Sequence, residues 1–155
     1  MKKIKQLSLL VILAFTLFFS CNKEKRYSKR LMKGDFWTVQ SIKINDTLSD
    51  FSGVWDVTQD VNIYDSVPQI YWKYDGKNAY FQWQFQEKGK KFYINYQVLC
   101  HECEPNTLDT LDNFCNALSG AYDVVELNRK EMKFTSNTTF GFNTKKVEIY
   151  VKKKV

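Results

Sequence analysis

Phe81-Gln82-Trp83-Gln84-Phe85-Gln86-Glu87-Lys88-Gly89-Lys90-Lys91-Phe92-Tyr93-Ile94-Asn95-Tyr96-Gln97-Val98 is the stretch that decides the fold class. In its first half Phe81, Trp83 and Phe85 alternate with glutamines. In its second half Phe92, Ile94, Tyr96 and Val98 alternate with Tyr93, Asn95 and Gln97. A period of two places one set of side chains on a buried face and the other in water, the habit of antiparallel sheets. Lys88-Gly89-Lys90 supplies turn chemistry between the halves, so the stretch reads as a hairpin.

The same period extends outward. Val147, Ile149 and Val151 alternate with Glu148, Tyr150 and Lys152, and further turn signals stand at Asn45-Asp46, Asp75-Gly76 and Asn128-Arg129-Lys130. Strands are predicted near 36–44, 53–64, 69–74, 78–87, 91–100, 120–127, 131–136 and 146–153. The fold class is therefore all-β. An antiparallel up-and-down barrel of about eight strands buries one face of each strand and leaves few open edges, with a two-sheet sandwich as the competitor. One segment breaks the period: Leu108, Leu111, Cys115 and Leu118 share one face of a helix, and a short inserted helix is predicted over 107–118.

The chain has 155 residues, 44% hydrophobic and 16% aromatic, which fits one domain with a sizeable core. Disordered, coiled-coil and multi-domain architectures are excluded. None of the six glycines builds a phosphate-cradling G-x-G or P-loop pattern. The formal charge of +6 is unevenly placed: residues 1–20 carry +3, residues 21–33 carry +5, and residues 34–155 carry −2. Nucleic-acid binding needs a basic face on the domain itself, so no nucleic-acid partner is expected.

Lys2, Lys3 and Lys5 precede an apolar run from Leu7 to Phe19, too short to span a bilayer comfortably and suited to a signal-peptide core. Ser20-Cys21 follows. This junction resembles a bacterial lipoprotein signal, with Ser20-Cys21-Asn22 like the boxes of the Bacteroidetes, although Phe18 and Phe19 stand where the usual pattern has Leu and a small residue. The resemblance implies cleavage before Cys21, its lipidation with palmitate-type chains, and a stable membrane anchor. Residues 1–20 are then the signal peptide and 21–33 a solvated basic tether able to sit against anionic headgroups. Residues 34–155 form the barrel domain. The expected location is the bacterial cell envelope, on the outer membrane facing the periplasm.

Gly34-Asp35-Phe36-Trp37-Thr38-Val39, the meandering strands, and Tyr122-Asp123-Val124-Val125-Glu126-Leu127 with short closing strands resemble the lipocalin-like lipoproteins of Bacteroidetes over residues 31–153. The opening here is Gly-x-x-Trp rather than the family's Gly-x-Trp. The resemblance implies a calycin-type barrel and, with it, a small apolar or amphiphilic ligand. Phe81, Trp83, Phe85, Phe92 and Tyr96 share the proposed inward face and are the candidate ligand-binding residues. A barrel of this size either fills with side chains or holds a small molecule, so the alternative is a packed core with an envelope protein partner at the surface.

Cys100, Cys103 and Cys115 remain after Cys21. In an oxidising compartment one disulfide is expected. Cys100 continues the inward face of its strand and Cys115 lies on the leucine face of the helix, which favours a Cys100–Cys115 bridge, with Cys103–Cys115 next. Cys100-His101-Glu102-Cys103 has metal-site and redox spacing, but a fourth zinc ligand and a helix N-terminus are both missing. His101 is the only histidine, and neither G-x-S-x-G nor H-E-x-x-H occurs. No catalytic residue, metal or cofactor is assigned, and the chain is not expected to be an enzyme.

Overall fold

Phe85 stands opposite Phe92, Trp83 opposite Ile94, and Phe81 opposite Tyr96, so the hairpin forms in the register its alternation demands. The computed structural model describes residues 23–57, 68–96 and 110–154. Among these the strands are β1 (Phe36–Ile44), β2 (Thr47–Leu48), β3 (Val54–Asp56), β4 (Gln69–Tyr74), β5 (Lys77–Gln86), β6 (Lys91–Tyr96), β7 (Gly120–Leu127), β8 (Glu131–Ser136) and β9 (Val147–Lys153). Two helices accompany them, α1 (Lys23–Met32) and α2 (Thr110–Ala117).

Every pairing between these strands is antiparallel, and β1 pairs with β9 as well as with β3. That pairing closes the sheet into an eight-stranded barrel and excludes the sandwich. β2 is an extra short strand folded back on the end of β1. Its Thr47 and Leu48 are both exposed, so no alternation marks it in the sequence. Asn45 and Asp46 both have positive φ, as do Asp75 and Gly76, the requirement of tight two-residue hairpin turns. Register shifts at Val39/Ser41 and Val124/Glu126 mark bulges in β1 and β7, which increase local twist.

The strands expected over 53–64 and 91–100 are observed as Val54–Asp56 and Lys91–Tyr96; Gly53 and Val57 flank the first outside the strand, and 58–64 and 97–100 lie outside the described residues. So does the start of the helix expected over 107–118, which is observed from Thr110 to Ala117. Cys21, Cys100, His101 and Cys103 also lie outside the described residues.

The segment read as a solvated tether is helical from Lys23 to Met32. Glu24, Tyr27 and Leu31 recur at helical spacing and face the barrel. Leu31 is fully buried, and the Tyr27 ring meets Phe85 edge-on at 5.6 Å between centroids. Glu24 accepts a hydrogen bond from the Lys88 backbone N–H in the β5–β6 turn. The Leu31 carbonyl accepts one from the Trp37 indole N–H at 2.9 Å. Tyr27, Leu31 and the partly buried Met32 are the apolar groups of this helix that pack on the core, too few for a periodic signal among so many cations.

Candidate functional site

The barrel interior is the site that the sequence proposes. Phe81, Trp83, Phe85 and Phe92 all point into it, with exposures of 1, 1, 6 and 0%. They meet one another: Phe85 and Phe92 lie 5.0 Å apart, and Trp83 and Phe92 6.2 Å. Phe92 also stacks on Phe134 at 4.4 Å, and Trp55 meets Phe81 edge-on at 5.2 Å. A cavity beside these rings would leave surface that water could touch. Trp37, Trp55, Trp72 and Phe92 have none, at 0% exposure each. In this arrangement the inward rings form a close-packed core.

Tyr96 is half-buried and has a different task. Its hydroxyl lies 3.0 Å from Asp112 Oδ1 and its backbone N–H donates to Ser119 Oγ at 3.0 Å, tying β6 to α2 and to the start of β7. Helix α2 closes that end of the barrel. Phe114 stacks on Phe51 at 4.1 Å, with Trp72 and Phe142 around it at 6.0 and 5.9 Å. Leu111, Cys115 and Leu118 turn inward as their spacing predicts, and Leu118 O accepts the Tyr122 hydroxyl at 2.6 Å. The Cys115 thiol is free in the structure. Burial, with the Asp112 charge second, pushes its pKa far up, so it acts as a small neutral hydrophobe. Its expected disulfide partners lie beyond the described residues.

The other end is closed by α1. Trp37 Nε1 is satisfied there by Leu31 O, and toward the α2 end Trp72 Nε1 by Ser52 O at 2.6 Å. Trp55 Nε1 and Trp83 Nε1 have no acceptor, although both residues are buried. Each such orphaned donor costs about 1–3 kcal/mol. Among the described residues Asp56 Oδ1 and Thr139 Oγ1 are likewise buried without a partner.

A second site lies outside the barrel, built largely from the basic segment 21–33 that the sequence sets against anionic headgroups. A groove of about 900 Å³ runs along α1. Lys23, Lys25, Arg26, Lys29, Arg30 and Lys33 line it from the helix and its exit, while Arg129 in the β7–β8 turn and Lys153 at the end of β9 line it from the barrel. All eight are cationic, and among the described residues no acidic side chain lines the groove. The Lys23 ammonium and the Arg26 and Arg30 guanidinium groups gather around the Tyr27 ring, at 5.6, 5.8 and 5.9 Å from its centroid, within cation–π range. The run 21–33 announces six of these cations. Arg129 and Lys153 reach the same face only through closure of the barrel.

Among the described residues no group of three or more His, Cys, Asp or Glu side chains gathers to hold a metal ion. The buried Asp56 carboxylate is paired with Lys73 at 2.7 Å. Compared with known protein families and with curated proteins, the chain matches none.

Proposed function

We propose that this chain is a non-enzymatic lipoprotein of the bacterial cell envelope, anchored through Cys21, whose barrel is a packed body that works through its outer surface. The observation that carries the reading is the interior: fully buried, mutually touching rings occupy it, and a helix closes each end. A molecule of drug or fatty-acid size needs several hundred cubic ångströms. Making that room here would break ring contacts across the whole core. The anchor is supported by the apolar run Leu7–Phe19 and by the small residue before Cys21.

One observation favours the second reading, an internal small apolar or amphiphilic ligand. The unpaired indole N–H groups of Trp55 and Trp83 would suit a buried acceptor such as a carbonyl or carboxylate. The anchor is tested by growing cells that make the full chain on labelled palmitate. Label in the wild-type chain and none in Cys21→Ser is the expected result; equal label in both chains, or in neither, would contradict it.

A further inference from the structure

We infer that the α1 end of the barrel lies on an anionic lipid leaflet, with Arg129 and Lys153 joining the α1 cations in one contact face. The inference rests on the anchored reading and adds an orientation to it: the β5–β6 and β7–β8 turns point at the membrane and the α2 end points away.

Lys25 and Lys29, and likewise Lys23, Arg26 and Arg30, stand three or four residues apart, a spacing at which like charges repel. The only acid of α1, Glu24, is turned the other way onto the Lys88 backbone. The helix is therefore held by its docking on Trp37 and Phe85, against its own charge. The barrel then adds Arg129 and Lys153 to the same groove instead of carboxylates. Such a face is completed by anions from outside the protein, and each cation at an anionic leaflet strengthens binding about fivefold.

The position of the anchor selects the source of those anions. Only Asn22 separates Cys21 from Lys23, and two residues reach at most about 7 Å. That is within the Debye length of about 8 Å at physiological salt, so the Lys23 end of the groove is held where headgroup charge is still felt.

The test uses the full chain, extracted from membranes and reconstituted into vesicles of phosphatidylcholine alone or with phosphatidylglycerol. Amines are modified with a water-soluble acylating reagent and read by peptide mass spectrometry. Phosphatidylglycerol is expected to slow modification of Lys25, Lys29 and Lys153 several-fold, and added salt to reverse it. Lys43 and Lys145, away from the α1 end, keep the same rate in both vesicles. The double variant Arg129→Gln/Lys153→Gln, altered only at exposed side chains, is expected to lose much of the slowing at Lys25 and Lys29.

Equal rates in both vesicles would overturn the inference, as would uniform slowing of every lysine. Equal slowing by free phosphate, by an oligonucleotide or by an acidic protein over neutral vesicles would assign the groove to that anion instead. Full slowing in the double variant would remove the barrel cations from the face. The N-terminal peptide mass, read from the same digest, reports acylation separately. A slowed groove on an unacylated chain would leave the face standing and refute the anchor alone.

Discussion

Gly34 has no room for a side chain. A Cβ there would stand 2.2 Å from Trp37 Nε1, and that indole is fully buried and bound to Leu31 O. The Gly-x-x-Trp opening is thus a packing device: the backbone passes over the ring that closes the α1 end. Gly34→Ala is predicted to destabilise the protein by about 1–3 kcal/mol, the usual cost of overpacking, measured as a lower urea midpoint. On the outer face, Glu131 Oε2 accepts the Tyr150 hydroxyl at 2.6 Å, and Asn128 also donates to Glu131. These bonds, Tyr150 first, hold the Glu131 carboxyl below its ordinary range. A lowered folded-state pKa means that the stabilisation is present above the unfolded value and is lost as pH falls through the folded one. Tyr150→Phe is predicted to move the Glu131 titration upward in an NMR pH series; an unchanged midpoint would show that the bond does not set it.

Among the elements, the strands were the most legible part of the sequence, for a physical reason. One-sided burial writes a period of two into β5, β6 and β9, and β1, β4, β7 and β8 begin and end at the residues predicted for them. β2 has no buried face and leaves no such trace. Helix α1 was read as a tether because its docking surface is little more than Tyr27, Leu31 and Met32, set among six cations over residues 23–33. Trp37 follows the helix closely, but its other partners, Phe85 and Gly89, come from distant positions that only the fold brings to it. The two readings of this segment differ in energy. Leu31→Ala is predicted to cost about 2–5 kcal/mol if the helix docks as observed. A solvated tether would make the same substitution neutral in a denaturant titration.

At the scale of the whole molecule, the inward face was identified correctly for Phe81, Trp83, Phe85 and Phe92, but facing inward does not distinguish a pocket wall from a core. That distinction depends on what stands opposite each ring. Phe134, Trp55 and the two closing helices fill that space, and no local pattern announces their arrival. The basic groove has the same origin, since Arg129 and Lys153 become neighbours of α1 through the β1–β9 closure and the β7–β8 turn. The central claim is that this barrel is solid and acts from its surface. Native mass spectrometry of the full chain, released from the membrane in a mild detergent, tests it most directly. The account predicts the mass of the polypeptide with its covalent lipid and nothing else. A reproducible additional mass that disappears on denaturation would contradict it and place a ligand against Trp55 and Trp83.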